Sequence, residues 1–169
     1  AVALDADAGT QQWAAGLAST EWVAPADVAL SPDGRGIAIV GSFAGVLRVG
    51  TRTVTSAGNS DGFCLVLDPR GAVQGLWRLG GAGADGLSDA TWIDDDVAVA
   101  GSASAHADAA GAAVFEPQGQ PGANDADIVV ARATRDGQIR WIRIARSPRL
   151  DASAGLATAG RQLAIAMNF

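Results

Sequence analysis

The chain has 169 residues, 49% of them hydrophobic, which is enough to bury a core and places it among ordered globular proteins. Its net charge of −6, from 12 basic and 18 acidic side chains, argues against a nucleic-acid groove, because phosphate binding needs a concentrated basic surface. No apolar run approaches the ~20 residues of a membrane helix, so no membrane insertion is expected, and the single Cys64 excludes an intrachain disulfide.

In chain order, Val2 to Leu4 and Gln11 to Leu17 read as strands joined through Asp5-Ala6-Asp7-Ala8-Gly9. Alternate Asp residues followed by Gly open like a calcium loop, so Asp5 and Asp7 are the metal candidates, with calcium as the only cofactor considered. The later ligands of such a loop are missing, since Thr10, Gln11 and Gln12 follow. Strand candidates continue at Asp27 to Ser31, Ile37 to Ser42, Asp61 to Leu67 and Val73 to Leu79. They resume at Ala90 to Ile93, Val97 to Ser102, Asp127 to Ala133 and Gln138 to Ala145, and finish at Leu156 to Ala159 and Leu163 to Met167. Pro32-Asp33-Gly34 and Asp68-Pro69-Arg70-Gly71 supply the fixed φ of Pro and the freedom of Gly that hairpin turns need.

Within these strands large and small side chains alternate. Ile37 and Ile39, Val97 and Val99, and Leu163 and Ile165 point one way; Ala38, Ala98 and Ala164 point the other. Both faces are apolar, so both are expected to be buried between neighbouring sheets. Cys64, between Phe63 and Leu65, reads as a buried structural thiol.

The pattern repeats. Trp13, Trp77 and Trp141 recur 64 residues apart (77 − 13 and 141 − 77), and Gly9, Gly71 and Gly137 mark the matching turns. Four strands fall in each period, which points to β-propeller blades built of four-stranded antiparallel sheets, with a β-sandwich as the alternative all-β fold. The chain then divides into a half unit over 1–26, whole units over 27–81 and 87–145, and a half unit over 153–169, all in one propeller segment. It opens without Met and in mid-unit, so it is expected to be a piece of a longer propeller polypeptide or a chain whose copies complete one another's ring.

The phrase Asp61-Gly-Phe-Cys-Leu-Val-Leu-Asp-Pro-Arg-Gly71, followed by Trp77, Gly80-Gly81 and Asp85, resembles the bacterial SBBP-type β-propeller repeat. So does Gly41-Ser-Phe-Ala-Gly45 leading to Asp61. The likeness covers essentially the whole chain and is best from Ile37 to Gly101. It implies a propeller fold and a secreted, cell-surface or periplasmic bacterial location, and is nearly silent on chemistry. Copies one and three depart from it: Glu21 stands where an Asp is expected, and Ala145-Arg146 replace the glycines.

Candidate chemistry is sparse, and no catalytic residue is assigned. Asp94-Asp95-Asp96 reads as a hairpin turn whose carboxylates are best left in water. Arg140, Arg143, Arg146 and Arg149 read as the wet face of an edge strand. The long segments 43–60 and 103–126 link second to third strands and are expected on one rim, where recognition loops sit on a rigid scaffold. A ligand, whether glycan or protein, is therefore looked for around Arg48, Arg52, His106 and Glu116. The favoured reading is a non-catalytic propeller module for binding or assembly, partnered by other blades of the same protein or further copies of the chain. A propeller-based carbohydrate-active enzyme and a purely structural unit of a surface assembly are the alternatives.

Overall fold

A computed structural model describes residues 1–103, 107–109, 113–115, 126–145, 152–160 and 162–168. They form seventeen strands and, among the described residues, no helix. The first three are β1 (Val2–Leu4), β2 (Gln11–Ala14) and β3 (Ala18–Ser19). A first group of six follows: β4 (Trp22–Leu30), β5 (Ile37–Ala44), β6 (Val46–Val49), β7 (Arg52–Thr55), β8 (Asp61–Leu67) and β9 (Val73–Gly80). A second group repeats that plan: β10 (Gly86–Ile93), β11 (Asp96–Ala103), β12 (Ala107–Ala109), β13 (Ala113–Phe115), β14 (Asp127–Ala133) and β15 (Ile139–Ala145). The last hairpin is β16 (Ala152–Ala159) and β17 (Gln162–Asn168).

The described strands form five antiparallel sheets, four of which follow one another along the chain. β1–β2 is a hairpin, β4-β5-β8-β9 is the body of a first sheet that β12 and β13 extend to six strands, β10-β11-β14-β15 is a second, and β16–β17 is a hairpin again; β3-β6-β7 is the fifth. The short segments between second and third strands each reach backwards. The β6–β7 hairpin pairs β6 with β3, and β12 adds to the outer edge of the first sheet by pairing Asp108 with Gly80 and Ala109 with Leu79. Those additions cover strand edges that would otherwise stand open.

Burial follows the two-faced pattern of the sequence. Every residue of β8 is buried, as is nearly all of β5, β11 and β14. On one face of the first sheet Ile39, Phe63, Leu65 and Leu67 pack with Trp13 and Leu17 of the opening segment. On its other face Val40, Cys64, Val66 and Trp77 meet Leu87, Trp92, Val97 and Val99 of the second sheet. Beyond that sheet Ala100, Ile128 and Val130 pack with Leu156, Leu163 and Ile165. Small side chains at Ala38, Ala131 and Ala133 help the layers approach.

Two contacts recur between successive sheets. The Trp13 ring lies on turn residue Gly71, where a Cβ would come within 2.7 Å of it, and the Trp77 ring lies on Gly137 at the same 2.7 Å. Both glycines have positive φ, 82° and 95°, so two constraints meet at one residue. The first strands are joined through carboxylates: Asp27 Oδ2 accepts from Ala90 N–H at 3.1 Å, and Asp89 Oδ2 accepts from Leu156 N–H at 2.6 Å.

Candidate functional site

The hairpin turns of neighbouring sheets meet in a polar cleft of about 570 Å³. Its walls are the β4–β5 turn (Asp33, Arg35), the β10–β11 turn (Asp95) with Asp96 at the start of β11, and the β14–β15 turn (Arg135, Asp136), with Arg140 at its edge. Arg135 holds the turns together. Its Nη2 lies 3.1 Å from Asp95 Oδ1 and 3.5 Å from Asp33 Oδ2, and its guanidinium stands 4.9 Å from the Trp92 ring centroid. The stacking half-buries the cation, which strengthens the pairing that water would otherwise weaken.

The local hydrogen bonds determine what these carboxylates can do. The Ser31 hydroxyl donates to Asp33 Oδ1 at 2.6 Å and Arg35 N–H donates to the same oxygen at 2.9 Å. Those donors hold the Asp33 carboxyl below its ordinary range, and the Thr134 hydroxyl does the same for Asp136. Both are anions at neutral pH and neither can serve there as a general acid. Gln74, whose buried Oε1 meets no donor, lines the same cleft.

Arg48 and Arg52 are exposed on the β6–β7 hairpin, which leaves β5 at the end opposite the β4–β5 turn. His106 and Glu116 lie outside the described residues, as do Arg146 and Arg149. Asp5 turns its carboxylate onto its own loop, where Oδ1 accepts from Asp7 N–H at 3.1 Å and Ala8 N–H at 2.8 Å. Arg140 and Arg143 stand on β15, the edge strand of the second sheet. Cys64 is fully buried, and burial pushes its thiol pKa up, so it is inert as a nucleophile.

One expectation is corrected. Asp96 is not left in water: it is 8% exposed, takes Arg132 Nε at 2.8 Å, and has Arg140 Nε at 3.4 Å. Turn geometry explains the split, since Asp94 takes the positive φ of 56° and Asp96 is already the first residue of β11. The sequence reading also missed the contact of Asp27 with Asp89. They are 62 residues apart (89 − 27), and only the packing of β4 against β10 brings their carboxyls together. Burial raises the Asp89 pKa most, and hydrogen bonding with Asp27 raises it further. Both carboxyls are engaged by main-chain N–H groups of the following sheet.

The cleft can therefore orient a polar ligand between fixed cations and anions, but its carboxylates are spent on holding turns. Among the described residues no cluster of three or more His, Cys, Asp or Glu side chains forms a metal-binding group. Neither the protein-family models nor the curated proteins contain a match to this chain.

Proposed function

We propose that the chain is a segment of a β-propeller that works by binding and assembly and not by catalysis. The supporting observation is how β4 compares with β10. Ala90 and Trp92 on β10 are buried at 5% and 3%, covered by the first sheet, whereas their counterparts Val28 and Leu30 on β4 are 61% and 71% exposed. Those side chains lie where the inner hairpin of a preceding blade would pack. The strand edges agree. In the whole sheets Ile37 pairs with Leu67 and Val97 with Ala133. The same register sets Leu163 of one hairpin opposite Leu4 of the other, Ala164 opposite Ala3, and Ile165 opposite Val2. Matching strands, from other blades of the same protein or from a further copy, complete the two hairpins into a four-stranded sheet. The polar cleft between hairpin turns is a surface for a glycan or protein ligand, and the carboxylates of its described lining are held by Ser31, Thr134 and Arg135, which favours binding over hydrolysis.

The test is mass in solution together with cross-linking. The 16.9 kDa chain carrying Ala3→Cys and Ala164→Cys is expected to self-associate and to form a disulfide between copies under mild oxidation. Within a longer polypeptide the equivalent pairing forms with a neighbouring blade. A fully folded monomer that never cross-links rejects the proposal.

A further inference from the structure

The place where the first sheet hands over to the second gathers several carboxylates. Asp61 opens β8 and Asp85 lies in the β9–β10 connection; they are 0% and 3% exposed. Asp61 Oδ2 is satisfied by Ala57 N–H at 2.9 Å and Arg78 Nη1 at 2.9 Å, and Arg78 Nη2 goes on to Asp108 at 2.7 Å. Asp61 Oδ1 is different. It is buried and meets no donor. It faces the space that Gly80 leaves by having no side chain, because a Cβ there would lie 2.6 Å from Asp61 Oδ1 and 2.9 Å from Asp85 Oδ2. Asp85 Oδ2 accepts Gly81 N–H at 2.5 Å, which holds the second carboxylate at the edge of the same space.

Arg78 answers Oδ2 of this fully buried carboxylate and also donates to Gly80 O at 3.0 Å, which leaves Oδ1, facing a second carboxylate, as the oxygen without a donor. We infer that Asp61 Oδ1 and Asp85 Oδ2 are the charged ligands of a calcium ion seated beside Gly80. The donor set is all hard oxygen, which selects calcium or magnesium over softer metals. The two carboxylates come from separate segments with no octahedral cage around them, an arrangement that suits the irregular coordination of calcium, with main-chain carbonyls and water completing the shell. The ion would tie β8 to the inter-sheet connection, whose main chain already pairs there through Asn59 N–H to Gly83 O at 2.9 Å and Asp85 N–H to Ser60 O at 2.9 Å.

The inference does not depend on the propeller reading. Its test is calcium titration of the EGTA-treated chain at pH 7.5, followed by calorimetry, melting temperature and terbium luminescence excited through tryptophan. One ion per chain is expected, with a melting temperature that rises with calcium and falls back on adding EGTA. Asp85→Asn is expected to weaken binding by about tenfold or more, whereas the exposed Asp94→Asn leaves it unchanged. If Asp85→Asn does not fold, Asp61→Asn, which keeps an acceptor for Arg78 and Ala57 N–H, takes its place. No heat and no melting shift with calcium overturns the inference. So does binding that survives both substitutions, or a melting temperature that answers to acid but not to calcium, which would assign the pair a shared proton instead.

Discussion

Trp13 and Trp77 make the same contact at two successive sheet boundaries, and the two versions differ in one bond. Each ring lies on the turn glycine of the next sheet. Trp13 Nε1 also donates to Pro69 O at 2.9 Å, two residues before that glycine, whereas the buried Trp77 Nε1 meets no acceptor. The cause is spacing. Trp13 and Trp141 each follow their turn glycine by four residues, but Trp77 follows Gly71 by six (77 − 71). Gly75 takes the register position that Trp13 and Trp141 hold in their own strands, and it lies against Arg135 O, the carbonyl equivalent to Pro69 O. Packing on the glycine survives a two-residue displacement of the Trp along its strand; the hydrogen bond does not. The apolar contact is therefore the part of the repeat that carries the architecture.

Substitutions test that ranking. Trp77→Ala is expected to have the largest effect, about 3–5 kcal/mol of destabilisation in urea unfolding, because it empties a buried site between sheets. Trp13→Ala, at a partly exposed ring, should lose about 2 kcal/mol; equal losses would break the comparison. Next come Gly137→Ala and Gly71→Ala. Each forces a side chain into left-handed backbone, at about 1–2 kcal/mol, and against a ring as well. Gly137→Ala should be the worse by calorimetric melting, since the buried Trp77 has less room to yield.

Trp13→Phe and Trp77→Phe sharpen the point. The first removes a hydrogen bond and should lower stability by roughly 1 kcal/mol beyond its loss of volume. The second removes an unpaired donor, so part of its volume loss is offset. The smallest effect is expected at the first strands. The raised Asp89 pKa means that its stabilising contribution is fully present below its ordinary value of 3.8 and is lost as pH rises through the folded value. Asp89→Asn should flatten that decline in stability measured across a pH series, while its amide oxygen still accepts from Leu156 N–H.

Where both ends of a strand carry turn residues, the sequence reads to the residue. Asp61–Leu67 and Asp127–Ala133 were expected with those bounds and are found with them. The first strands were read short. β4 starts at Trp22 and β10 at Gly86 because bulges between Pro25 and Asp27, and between Leu87 and Asp89, shift the alternation by one residue. Pro25 itself reads as a break, although at a bulge it is tolerated. β12, built of Ala-Asp-Ala, carries no pattern and forms only because the edge of β9 is there to pair with. The Asp and Gly residues of 61–85 were legible as turn and strand geometry. Their convergence was not, because a carboxylate's surroundings depend on which segments fold over it. Asp127 repeats Asp61 in the second sheet and is likewise buried, but Ala145 matches Leu79 by register, so in sequence Arg146 stands where the first sheet has Gly80.

The backward reach of β12 has a consequence for biosynthesis. As the chain leaves the ribosome, β9 is complete at Gly80, but its outer edge stays unpaired until residues 107–109 have emerged. Likewise β3 waits for β6. The first sheet is thus sealed by a segment belonging to the second, so its folding trails synthesis by one repeat, and an interrupted chain presents an open strand edge that invites aggregation.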